Sequence, residues 1–284
     1  MMVETLSVRI LSRRLSAVHL AVGWIGLMLL VAIFADLLAP YDYTVQKPLA
    51  RLSPPWPFGG TSEFLLGTDA IGRDVLSRLL FGIRLSITVA ILGTLIGATL
   101  GMGLGAVSAY AGGLIDDLVM GLVDVQASLP IVIFALGLIA VFGTSLWLFI
   151  AIIGISGWER YARLTRGLIL EATTTGYAEA LRSLGARPSR TFFRHILPNI
   201  GSALVVQMTI NFPEVILLET GLSFLGFGIQ PPLPSLGSMV SDGRTTIFLA
   251  WWIVFFPALA IFLTTLAVSL VGDAVRDRLD ATLR

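Results

Sequence analysis

Residues 85–115 include no charged side chain in 31 positions, and no other feature restricts the fold of this chain as strongly. Crossing a bilayer takes about 20 apolar residues in a helix rising about 1.5 Å per residue, so the run fits a helix through lipid. Residues 15–35 and 245–272 are also free of charge, and 200–222 are apolar with two carboxylates. The 34 charge-free residues of 125–158 exceed one helix. Gly143-Thr144-Ser145 divides them, which predicts helices at about 116–142 and 146–164 joined by a tight turn. The expectation is an all-α polytopic membrane protein with six transmembrane helices. Its 56% hydrophobic and 13% charged residues, with a mean hydropathy of +0.88, exclude a soluble enzyme.

Other classes fall away on chemistry. A net charge of +1 without a dense basic run does not suit nucleic acid. The absence of cysteine removes thiol catalysis and thiolate metal sites, and His19 and His195 are too far apart in the topology to share a metal. No catalytic constellation and no cofactor site is expected. Arg13 and Arg14 precede the first apolar run, but that run is longer than the core of a cleavable signal, so it reads as an uncleaved helix. With the N-terminus inside, thirteen Lys and Arg residues collect on the cytoplasmic side and six outside, so both termini are expected in the cytoplasm. The weak point of that orientation is Arg73, Arg78 and Arg84, close to the outer end of the second helix.

Within that second helix, Gly93, Gly97, Gly101 and Gly105 recur every fourth position, continued by Ala109 and Gly113. They form a ridge without side chains that another backbone can approach, inside this chain or in a partner. Four carboxylates lie in predicted membrane helices, where ionisable groups are costly. Asp117 and Asp124 are seven apart on one face near the inner end of the third helix; Glu214 and Glu219 lie in the outer half of the fifth, next to Pro213. They are candidates to line a pathway, and the competing reading pairs them with arginines. In the first outer loop, Ile71, Val75 and Leu79 form an apolar stripe with Asp69/Arg73 and Asp74/Arg78 as i, i+4 pairs, which predicts a helix lying along the membrane face. With the loop at about 223–246, it is a candidate surface for an extracytoplasmic partner.

Between the fourth and fifth spans, Tyr177, Ala180, Leu181 and Leu184 have i, i+3, i+4, i+7 spacing, an amphipathic helix that Gly185 can stop. Phe192/Ile196 and Phe193/Leu197 predict a second short helix ending at Pro198. This pair either lies on the anionic lipid surface or docks into a cytoplasmic partner.

Here the residues resemble a family. Glu179-Ala180, then Gly185, then Leu197-Pro198 have the spacing of the Glu-Ala-Ala loop of ATP-binding-cassette importer permeases, with Leu181 and His195 as departures. Residues 66–78, 222–226 with Pro231-Pro232, and 272–277 resemble the C-type permeases of the dipeptide, oligopeptide and nickel branch, with Leu236 and Ser269 departing from the common pattern. The resemblance implies a type I importer fold, in which residues 1–84 form a tail, a first helix and an outer loop, and 85–284 a five-helix core. It implies a coupling loop at 171–198, seated by Tyr177, Glu179, Ala180, Leu181, Leu184, Gly185 and Pro198, that partner ATPases move as a lever. It implies as partners a second homologous permease, two cytoplasmic ATPase subunits holding ATP and magnesium, an extracytoplasmic solute-binding protein, a peptide substrate and the lipid of a bacterial or archaeal cytoplasmic membrane. A nickel or other small-solute importer stays open, as does an ion-coupled secondary transporter, which would explain the carboxylates. This chain cannot supply the ATPase itself, because its one lysine, Lys47, precedes Pro48 and forms no phosphate-binding loop.

Overall fold

The computed structural model describes residues 2–174, 194 and 196–281, with the side chains of 16–174, 194 and 196–279. Among them there is no strand. The helices are α1 (Met2–Leu38), α2 (Val75–Ala111), α3 (Gly113–Ser128), α4 (Ile131–Phe142), α5 (Leu146–Ile155), α6 (Trp158–Thr173), α7 (Leu197–Phe224), α8 (Leu236–Gly243) and α9 (Trp252–Ala281).

Among the described residues, four stretches of helix are long and apolar enough to cross a membrane: Ser16–Leu38, Val75–Ala111, Leu197–Phe224 and Trp252–Leu279. The count among these residues reaches five of the six expected if α3 and α4 form one span, and those two are bent by 99°. The break sits at Leu129-Pro130. Leu129 is extended, with φ −91° and ψ 134°, as the residue before proline tends to be. The expected fourth helix is broken too. α5 has ten residues, about 15 Å of rise, half the hydrocarbon thickness. It stops at Ser156-Gly157, and the arginine-bearing α6 follows.

α2 is the hub, touching α1, α5, α6 and α7. Asp74 caps its first turn, its carboxylate accepting from the Ser77 amide at 2.7 Å and the Ser77 hydroxyl at 2.6 Å. The predicted surface helix is therefore absent. Val75 and Leu79 of its stripe form the opening turns of α2, where no proline interrupts 75–111 and Val75 is buried with Met239, Trp252 and Ile253, while Ile71 stays outside the helix and exposed.

Residues 39–74 and 225–251 cover one end of the bundle, where the buried Trp252 donates its indole N–H to the Thr68 carbonyl at 3.1 Å. Arg73, Arg78 and Arg84 at this end are neutralised. Arg78 binds Asp69 at 2.8 Å and Asp242 at 2.9 Å. Arg84 binds Asp36 and the Ala32 and Ile33 carbonyls, beside the non-helical Phe34 of α1. Asp74 serves the cap, so the expected Asp74/Arg78 pair does not form; the Asp69/Arg73 pair does, at 2.7 Å.

Candidate functional site

The position of α6 is set by the glycines of α2. A β-carbon on Gly93 would lie 2.9 Å from Ile153, one on Gly97 2.8 Å from the Gly154 carbonyl oxygen, one on Gly101 2.6 Å from the Tyr161 β-carbon, and one on Gly105 3.0 Å from the Ala162 α-carbon. The partners advance along the chain with the glycines, so α2 runs parallel to α5 and α6 with backbones almost touching. Gly103, off the ridge, faces open space.

This packing leaves a row of charges on α6 facing α3 and α7. Arg166 forks onto Asp116, with its Nε and Nη2 each 2.6 Å from a carboxylate oxygen, and the Ser108 hydroxyl donates to the same carboxylate. One turn back, Arg163 meets Asp124 at 2.9 Å. A further turn back, Arg160 pairs with Glu214 of α7 and stands 3.7 Å from Glu159. Arg163 and Asp124 remain 58% and 73% exposed at their side chains, a state incompatible with facing hydrocarbon. This flank of the bundle is built for water or for a protein neighbour.

At the top of the row the two helix breaks meet. Gln126, two residues before the end of α3, donates from Nε2 to the Ile155 carbonyl at 2.8 Å and to Glu159 at 3.2 Å, and its Oε1 accepts from the Trp158 indole at 2.6 Å. One amide thus ties the end of α5 to the start of α6. Beside it lies a cavity of about 210 Å³, lined by Gln126, Leu129, Phe134, Ser156, Glu159 and Arg160 among others.

The sequence candidates distribute as follows. Asp124 and Glu214 are in the charged row. Asp117 is exposed on α3, and its neighbour Asp116 holds the guanidinium. Glu219 is wholly buried, away from the row, accepting from Ser223 at 2.8 Å and Ser86 at 3.2 Å, while Ser86 accepts from the Leu236 amide at 3.1 Å. It ties α2, α7 and α8 together. Tyr177, Glu179, Ala180, Leu181, Leu184 and Gly185 lie outside the described residues. Pro198 stands in the first turn of α7, where its missing N–H costs nothing. Asp116, Gln126 and Glu159 were not singled out in the sequence. The run Glu159, Arg160, Arg163, Arg166 had the spacing of one helix face and was a usable signal; nothing marked Gln126.

The covered end of the bundle has its own electrostatics. Burial pushes the Asp69 carboxyl up, but the Arg73 amide and the Arg78 and Arg73 guanidinium groups outweigh it and hold the carboxyl below the usual carboxylate range. Asp74 goes the other way: burial raises it in spite of its bonds from Ser77. No cluster of three or more His, Asp or Glu able to hold a metal occurs among the described residues.

Two family models match the chain: the binding-protein-dependent transport system inner membrane component over residues 97–284, and the N-terminal TM domain of oligopeptide transport permease C over 12–55. The chain is 39% identical over 268 residues to the di/tripeptide transport system permease protein DppC of Pseudomonas aeruginosa strain UCBPP-PA14, covering 93% of this chain and 88% of that one. It is 42% identical over 262 residues to the dipeptide transport system permease protein DppC of Escherichia coli strain K12, covering 92% and 87%. Among solved structures, an inward-facing MetNI methionine ABC transporter superposes with a TM-score of 0.55 at 18% identity, covering 70% of this chain and 96% of that one. An amino acid ABC transporter with histidines gives 0.56 at 17%, covering 71% and 94%. These two share the fold.

Proposed function

The chain belongs to the family of inner membrane components of binding-protein-dependent transport systems, and from that premise we propose that it forms half of the membrane pathway of an ATP-driven importer of di- or oligopeptides. The observation that carries the reading is the charged row of α3, α6 and α7. Exposed ion pairs on helices packed into a membrane bundle need a protein neighbour or an aqueous passage, and a pathway shared with a second homologous permease supplies both.

In this reading the chain binds no cofactor, and ATP and magnesium act on two partner ATPases. Both termini are cytoplasmic, in the inner membrane of a bacterium or archaeon. The face carrying 39–74 and 225–251 is external and receives the solute-binding protein. The internal pairing of Arg78 and Arg84 supports this orientation, since arginines tied to carboxylates weigh less in the positive-inside balance. Residues 171–198 form the coupling loop: closure of the ATPases moves it, and α6 and α7, which flank it, carry the movement to the charged row. The peptide assignment draws on the relatives named for dipeptide and di/tripeptide transport.

The experiment is gentle purification from native membranes, identification of the co-purifying chains and release of the solute held by the binding protein. An ATPase, a second permease and peptides are the expected recovery. A metal in place of peptides would replace the substrate assignment, and the absence of any ATPase from otherwise intact complexes would refute the energy coupling.

A further inference from the structure

The cavity at the two helix breaks is unevenly charged. Glu159, at 8% exposed, forms part of its wall. Its closest side-chain donor is a neutral amide, Gln126 at 3.2 Å, its own backbone N–H adds a second neutral bond, and the nearest guanidinium, Arg160, is 3.7 Å away and already bound to Glu214. Glu159 and Glu214 thus share the Arg160 guanidinium, and Arg163, the other cation acting on Glu159, is itself paired with Asp124. A nearly buried carboxylate whose partner is engaged elsewhere gains most from a further cationic donor. The rest of the lining is split. Ser156 and Gln126 offer polar atoms, whereas Ala127, Leu129, Ile131 and Phe134 are apolar, a poor shell for a bare ion and a suitable one for a charged group carried on carbon. About 210 Å³ admits the first residue of a chain and little more.

The geometry points to a subsite for the free α-ammonium end of a short peptide, with Glu159 as the anionic partner and Gln126 holding that carboxylate in place. This rests on the importer reading above and deepens it: the permease itself distinguishes a free from a blocked peptide N-terminus at the breaks of its third and fourth membrane segments. Glu159 touches the ligand, and Gln126 is a positioning residue.

The test uses the complex of both permeases and the ATPases in lipid nanodiscs, without the binding protein, so that its own selectivity does not enter. Dialanine and N-acetyl-dialanine are titrated and binding is read by ligand-observed NMR. The wild-type complex is expected to bind dialanine about tenfold or more tightly than the acetylated peptide, as one charge-assisted bond provides. Glu159→Gln should abolish the preference, and Glu159→Asp should retain part of it. Equal binding of the two ligands by the wild type overturns the subsite whatever the variants do, as does an undiminished preference in a Glu159→Gln complex of normal subunit composition. Proteoliposomes of the wild-type complex with binding protein, assayed for dialanine uptake in parallel, separate the two levels. Uptake without N-terminal preference at the permease sinks the subsite alone, and absence of uptake from an assembled, ATP-hydrolysing complex sinks the peptide reading with it.

Discussion

Adding one methyl group at Gly101 should separate two helices. Its β-carbon would lie 2.6 Å from the Tyr161 β-carbon, 3.0 Å from the Ala162 amide nitrogen and closer still to the Trp158 carbonyl oxygen. Two of these three are backbone atoms that no rotamer change can move. Restoring ordinary contact requires α2 and α6 to part by roughly 1 Å, and overpacking of this kind costs about 1–3 kcal/mol. Gly103→Ala is the internal reference, with the same change of residue on the same helix and nothing within 4 Å. Since alanine is the better helix former by about 1 kcal/mol, Gly103→Ala should leave the melting midpoint of the purified complex unchanged or raise it, while Gly101→Ala lowers it. Transport per ATP hydrolysed should fall with Gly101→Ala as well, because α6 carries Arg160, Arg163 and Arg166. The assay is a thermal melt in one detergent followed by uptake and ATPase measurements in proteoliposomes. If the two variants melt together and couple equally well, the close packing of α2 on α6 has been misjudged.

Three further outcomes follow from the same geometry. Asp116→Ala and Arg166→Ala should each destabilise the complex, and the double variant should lose less than the sum, because either single change strands a partner; a fully additive melt would contradict the pairing. Gln126→Leu leaves the Ile155 carbonyl, the Trp158 indole and Glu159 each short of a partner. It should cost about 1–3 kcal/mol for each group that water does not reach, so a midpoint equal to wild type would refute the tie. Asp69, held low in the fold, contributes stability that is complete above its unfolded value, near 3.8, and is lost as pH falls through the lower folded value. Protection of the amides at 67–75, taken relative to the intrinsic exchange rate at each pH, should therefore fall in acid below about pH 4 in the wild type, and Asp69→Asn should flatten that dependence; an unaltered profile would assign the acid response to another group.

Much of this architecture was legible because lipid imposes strong rules. Charge-free runs marked the helices α1, α2 and α9, an apolar run with two carboxylates marked α7, and the four-residue period of Gly93 to Gly105 marked a surface that a backbone can approach. What hydropathy did not show was interruption. The apolar run 125–158 gives no hydropathy signal at Pro130 or Gly157, since a broken helix and a straight one bury similar side chains; the local chemistry of an X-Pro step was the available sign and was passed over. The stripe at 71–83 misled for a related reason: amphipathic spacing reports a helix with one apolar side, not whether that side faces lipid or the interior. For the polar residues, the sequence placed Asp117 and Asp124 on one face yet missed Asp116, because the choice among neighbouring carboxylates depends on where Arg166 stands across the interface. Gln126 was invisible, as its role comes from the end of α5 and the start of α6 being brought against it in space. The motif at 179–185 was conspicuous in the sequence and falls outside the described residues.

The glycine ridge also has a mechanical side. Helices separated by flexible side chains can slide or roll, whereas backbones in contact along 93–105 and 153–165 leave no such slack, so α2 and α6 tilt together. α2 is 37 residues long, about 55 Å from end to end. A tilt of about 5° around its middle displaces each end by roughly 2.4 Å, enough to break hydrogen bonds of the length that joins Arg78 to Asp242. A small rotation where α6 ends at Thr173 thus becomes, on the opposite face, the difference between a made and an unmade contact.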